Sequence, residues 1–133
     1  MKMFTDLKNL FGIFIYLLIC GTFVLTSSPV WAGEADVLDV KIAKTDADMF
    51  RFSVTVRHED QGWDHYADKW DVLDMDGNVL GTRVLMHPHD NEQPFTRSMK
   101  ISIPMHVKKV TVRAHDKVHG YGGAEIVLKL PNS

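Results

Sequence analysis

The sequence predicts an all-β protein, an immunoglobulin-like sandwich of seven antiparallel strands, and three observations lead there. Phe50, Phe52, Val54 and Val56 alternate with Arg51, Ser53, Thr55 and Arg57, the period of two that a half-buried strand requires. Similar short runs recur along the chain, and no stretch carries apolar residues at helical spacing. The chain beyond its N-terminal segment has about 100 residues, enough for one core and not two. In order, the runs cover 37–43, 50–57, 70–73, 79–86, 99–103, 110–114 and 126–130. Asp76-Gly77-Asn78 marks the turn between the third and fourth. Short antiparallel strands in this number form two packed sheets.

Residues 1–32 read as a secretory signal peptide. Lys2 and Lys8 precede an apolar run over 10–25, and Val30-Trp31-Ala32 places small residues before a cut. Cleavage leaves a mature domain over 33–133, beginning at Gly33, in a periplasmic or secreted location with no stable membrane insertion. A retained transmembrane anchor is the rival, because the apolar run approaches spanning length. Cys20 has Ile19 where a lipoprotein signal has a small residue, so it is read as part of the apolar run.

Cys20 is the sole cysteine, so the mature domain has no disulfide and rests on packing. The same absence excludes blue copper, iron–sulfur clusters and cysteine-based zinc sites. With 15 Lys+Arg against 17 Asp+Glu mixed along the chain, no basic stripe points to nucleic acid. No nucleophile elbow, phosphate loop or HExxH motif is present, and nothing marks Ser98 or Ser102 as a nucleophile.

Strand parity sorts the histidines. Connections alternate between the two ends of a sandwich, so 59–68, 87–96 and 116–123 share one end while 45–48, 74–78 and 104–109 share the other. His58, His65, His87, His89, His115 and His119 fall at the first end and His106 at the second. Neutral imidazoles with carboxylates are the ligand set of iron, zinc and copper sites. His87-Pro88-His89 can chelate, or form an ordinary polar loop. His58 continues the inward phase of Phe52, Val54 and Val56, either into a rim pocket or as a hydrogen-bonded edge residue. Asp116 and His119 lie three residues apart before Gly120, Gly122 and Gly123. That turn either brings carboxylate and imidazole to one centre or is a flexible loop with an Asx turn. Trp63, Tyr66, Phe95 and Tyr121 share this end, walling a pocket or capping the core.

The segment VRHEDQGWDHYADKWDVLDMDGNVLGTRVL, followed by VTVRAHDKVHGYGG, resembles the catalytic domain of superoxide reductases, the desulfoferrodoxin iron-binding domain. That family is an immunoglobulin-like sandwich whose non-haem iron has four equatorial histidines and an axial cysteine. The resemblance implies that His58, His65 and His119 are ligands, with Tyr66, Trp70 and Gly120 as flanking matches and superoxide or peroxide as the substrate class. Asp116 stands where the family has its axial cysteine, and Glu59 where it has proline, which leaves the enzymatic activity open. His87 or His89 would supply the missing ligand. Iron is implied first, with copper or zinc as alternatives. The sequence is also similar to small exported proteins with HPHxxEQPFTRS and VHGYGG motifs, a likeness that implies no activity. The competing expectation is a metal-free module whose three loops at one end grip a protein or small ligand.

Overall fold

The computed structural model describes residues 33–131. The expected signal peptide lies outside them. Seven strands follow one another: β1 (Asp36–Lys44), β2 (Met49–Arg57), β3 (Ala67–Leu73), β4 (Val79–Val84), β5 (Phe95–Ser102), β6 (Lys109–Asp116) and β7 (Ile126–Lys129). They form two antiparallel sheets, ordered β1-β2-β5 and β4-β3-β6-β7. Among the described residues no helix is long and apolar enough to cross a membrane.

β2 shows why the alternation works. Phe50, Phe52, Val54 and Val56 point inward and are buried. Its outward hydroxyls pair across to β5, Ser53 with Ser98 at 2.8 Å and Thr55 with Thr96 at 2.7 Å. From the other sheet Trp70, Val72, Val110 and Val112 close the same core. Burying a side chain of this size is worth about 1.5–3 kcal/mol, so this single cluster is what holds the sheets face to face.

Two strands start three or more residues earlier than the sequence predicts. β5 begins at Phe95 rather than Met99, because its inward phase contains Arg97 beside Val54, which breaks the apolar pattern. The arginine is tolerated because β5 is a sheet edge, from which its guanidinium turns aside to His89 and Glu92. β3 begins at Ala67 rather than Trp70, and a register shift between Ala67 and Lys69 hides the continuation from a strict period of two. β4 stops at Val84, short of the predicted residue 86; the Leu85 N–H donates to the Asp68 carbonyl at 2.8 Å as the chain leaves the sheet.

The loops sort by end as parity requires. The connections after β2, β4 and β6 are tied together: the His58 N–H donates to Gln93 Oε1 at 3.0 Å, and the Lys117 N–H to the Tyr66 carbonyl at 3.2 Å. At the other end the Asp74 carboxylate accepts from the Asp76 and Asn78 amides, with Gly77 at φ 86° in the predicted turn. His106 lines a surface hollow with Asp74, Met75 and Asp76 there, apart from the other histidines.

Candidate metal centre

Two strands from opposite sheets each carry their inward phase one step past the apolar core. On β2 the series Phe52, Val54, Val56 continues to His58; on β6 the series Val110, Val112, Ala114 continues to Asp116. Both side chains are fully buried, so an imidazole and a carboxylate face one another across the end of the sandwich. His65 comes to them from the β2–β3 loop. That loop is pinched by the Gln61 N–H donating to the His65 carbonyl at 2.7 Å, and Gly62 takes the positive φ of 76° that the reversal needs. His119 returns on the β6–β7 loop, where the Asp116 and Gly120 backbones pair at 3.1 and 3.0 Å with Gly120 at φ 68°.

His58, His65 and Asp116 each offer one ligand atom, all within 4.8 Å of one another. His65 Nε2 lies 3.4 Å from Asp116 Oδ1, His119 Nδ1 lies 3.3 Å from the same oxygen, and His58 Nε2 lies 3.9 Å from Asp116 Oδ2. Ligand atoms around a small divalent ion with bonds near 2.1 Å stand about 3.0–3.5 Å apart, so the closer separations already match a coordination edge. His65 Nε2 and Asp116 Oδ2 are buried and have no hydrogen-bond partner. A buried polar atom left unpaired costs about 1–3 kcal/mol, and here two of them meet in one group. The residues present therefore fit a bound metal ion, which would satisfy both atoms at once. The rings pack edge to face, His58 on His65 with centroids at 4.8 Å, and His119 lies tilted to His65 at 5.1 Å.

Asp116 is held ionised. Burial pushes its carboxyl up, but the His119 and Val118 amides donating to Oδ1 at 2.6 and 2.9 Å, with His58 and His119 nearby, bring it below the usual carboxylate value. This is the Asx turn expected at Asp116, and it leaves Oδ2 free to serve a ligand.

Asp60, which the sequence reading passed over, organises the centre from behind. Its side chain is fully buried. Oδ1 meets His58 Nδ1 at 2.5 Å and accepts from the Ala67 amide at 3.0 Å, while Oδ2 accepts from the His89 amide at 2.6 Å. Since a carboxylate only accepts, the hydrogen of His58 sits on Nδ1 and the Nε2 lone pair turns toward Asp116 Oδ2 and the Gly33 carbonyl, 3.1 Å away. A cation bound among these three atoms would satisfy all of them at once. The arrangement of carboxylate, histidine and open nitrogen is how metal-binding imidazoles are oriented. In sequence Asp60 looks no different from the exposed Asp64 and Asp90, and only the fold distinguishes it.

The other predicted ligands stand apart from this group. His87 is exposed, with Nδ1 3.0 Å from the Pro88 carbonyl. His89 is buried, stacked on Phe95 at 3.9 Å, with Nε2 2.9 Å from the Arg97 guanidinium. It reaches the centre through Asp60 and through Gln93, whose Nε2 donates to the His89 carbonyl at 3.0 Å while its Oε1 accepts from the His58 amide. Tyr66 and Phe95 cap the core, whereas Trp63 is 63% exposed. Tyr121 donates its hydroxyl to Asp71 at 2.5 Å, and burial followed by that carboxylate raises its pKa. The glycine-rich loop also has a reason beyond flexibility: a Cβ on Gly123 would stand 1.9 Å from the Ala35 carbonyl oxygen, so the N-terminal segment lies directly against it.

No family model matches the chain. No solved structure matches it either, so the superoxide reductase resemblance gains no relative from these comparisons. The chain is 45% identical over 95 residues, 71% of its length, to a protein of Halomicrobium mukohataei described as a "Putative lipoprotein". It spans 47% of that protein, about half its length.

Proposed function

We propose that this is an exported, metal-binding β-sandwich whose centre is His58, His65 and Asp116, with His119 at its rim. The observation that carries the reading is the pair of buried, partnerless atoms, His65 Nε2 and Asp116 Oδ2, brought together beside His58. Iron is the first candidate by resemblance to superoxide reductase, and the sheet order β1-β2-β5 against β4-β3-β6-β7 supports an immunoglobulin-like class. Copper and zinc suit the same imidazole and carboxylate donors. A bound redox metal would supply electron transfer to superoxide or peroxide. Asp116 would act there as a hard, ionised donor, Asp60 would fix the tautomer of His58, and the partly exposed His119 would border the open side. Export is supported by the leader-like N-terminus and by the lipoprotein description of the Halomicrobium protein.

The test is elemental analysis of tag-free protein purified from the cell envelope. About one equivalent of metal per chain is expected, and metal-free protein that also takes up none on dialysis would overturn the reading. A second reading, partner binding by the loops of this end, is favoured by the exposed Trp63, Met86 and Val118, one on each of the three connections.

A further inference from the structure

The N-terminal residue of the described chain reaches the centre. The Gly33 carbonyl oxygen lies 3.1 Å from His58 Nε2. A Cβ placed on Gly33 would stand 2.7 Å from His119 Cε1 and 3.0 Å from Nε2, so a larger residue would have to displace that ring, and glycine lets the backbone lie on it as it stands. Its Cα is therefore within about 4.2 Å of the imidazole, and its nitrogen one bond of about 1.46 Å away from that carbon. The segment is fastened there: the Val37 N–H donates to the Ala124 carbonyl at 2.8 Å, and the Ala124 N–H to Asp36 Oδ1 at 2.8 Å. The signal-like sequence ending Val30-Trp31-Ala32 puts its cut at the Ala32–Gly33 bond.

We infer that removal of the leader completes the metal centre by creating the α-amine of Gly33 as a further ligand. Hydrolysis of the Ala32–Gly33 amide adds the hydroxyl of water to the Ala32 carbonyl carbon and its proton to the Gly33 nitrogen. Before the cut that nitrogen is an amide, its lone pair delocalised into the carbonyl, and as long as it keeps its proton it is no ligand for a divalent ion. Afterwards it is an amine, and with the Gly33 carbonyl oxygen it forms a five-membered chelate beside His58 and His119. The unprocessed chain would then bind metal more weakly than the exported one. The inference rests on the metal-binding reading above and adds to it a ligand that appears only on maturation.

The test uses copper(II), the divalent ion that binds most tightly to nitrogen and oxygen donors. Protein beginning at Gly33 and protein beginning at an Nα-acetylated Ala32 are each prepared with 15N-glycine, loaded with copper(II) at mildly acidic pH, where an amide nitrogen with no free amine beside it keeps its proton, and compared by affinity and electron–nuclear double resonance. At least 10-fold tighter binding is expected for the Gly33 form, with a directly coordinated 15N that the longer form lacks. The coupling decides: copper bound in the Gly33 form without it overturns the inference, whatever the two affinities, and leaves the histidine and aspartate site standing. No copper in either form overturns the metal reading and this inference together. The mass of the natively exported protein is the second arm; a chain starting at Gly33 supports the inference, and one starting at a lipid-modified Cys20 overturns it.

Discussion

Asp71 and Asp116 lie on neighbouring strands of one sheet and are both buried, yet the protein treats them in opposite ways. Asp71 points away from the core. Its Oδ1 accepts from the Thr82 hydroxyl at 2.6 Å, and its Oδ2 from Tyr121 at 2.5 Å and the Arg113 guanidinium at 3.3 Å. Asp116 points inward: its Oδ1 accepts from two amides beside His65 Nε2 and His119 Nδ1, while its Oδ2 has no partner and stands 3.9 Å from His58 Nε2. Burial raises both carboxyls and hydrogen bonds bring both below their usual value. Their charge state therefore does not distinguish them; the account of their lone pairs does. A carboxylate with both oxygens paired is structural, whereas one with a bare oxygen opposite a bare nitrogen has room for a cation.

The largest expected difference is in metal affinity. Asp116→Asn should weaken binding on the order of 100-fold or more, since even partners behind the ligands are worth 10–100-fold. Asp71→Asn should leave it within about twofold, because nothing in its network touches the centre except through the loop that Tyr121 holds. Titration of the two variants with the native metal measures this; equal losses would mean that Asp116 is structural like Asp71.

Stability should show the reverse order. Asp71→Ala leaves Thr82, Tyr121 and Arg113 without their acceptor and should cost about 1–3 kcal/mol in urea unfolding of the metal-free protein. Asp116→Ala should cost less there, because it also removes the unpaired oxygen. The sign with pH follows from the depressed carboxyl: the stabilisation by Asp71 is present above its usual value of 3.8 and is lost as pH falls through the lower folded value. Asp71→Asn should therefore flatten the acid limb of the stability curve, and an unchanged limb would count against the network.

A smaller effect isolates the support from the ligands. Asp60→Asn can still accept a hydrogen bond from His58 but loses the charge that fixes the ring. Metal affinity should fall by about 10–100-fold. Asp60→Glu, which restores the charge at a different reach, should recover part of it. If neither variant changes affinity while both unfold more easily, Asp60 only ties the loops together.

How far these differences are legible in the sequence depends on phase. The strands could be read because an inward Phe or Val every second residue is a cheap and specific signal, and His58 could be placed because it continues that phase. Asp116 continues the phase of Val110, Val112 and Ala114 in the same way, a signal as clear as that of His58. The superoxide reductase resemblance, together with loop position, points to His65 and His119, which the fold brings to Asp116 at 3.4 and 3.3 Å. Pattern also suggested His87 and His89, but a His-Pro-His spacing says nothing about where the rings point. One turned to solvent and the other against Phe95. Asp60 and Gly33 carry no local signal: Asp60 acts through a loop that folds its carboxylate back onto His58, Ala67 and His89, and Gly33 meets His58 from 25 residues away.

The smallest effect concerns His89, the buried histidine that stands outside the cluster. Its ring lies on Phe95 with the planes 9° apart, and its Nε2 accepts from Arg97, so its hydrogen is on Nδ1, which is buried without a partner. Burial first, then the Arg97 and His87 charges, lower its pKa from 6.5, with Asp60 and Glu92 opposing. Below 6.5 the unfolded chain thus binds a proton at this position that the folded chain refuses, and stability must fall as pH drops through that range. The slope contributed by one such group is at most about 1.4 kcal/mol per pH unit. Urea unfolding of chelator-treated protein at several pH values between 7.5 and 5.5 should show the decline, and His89→Gln should reduce its slope even if the variant is less stable at every pH. A slope identical in the two proteins would mean that His89 is no more than a wall of the Phe95 core.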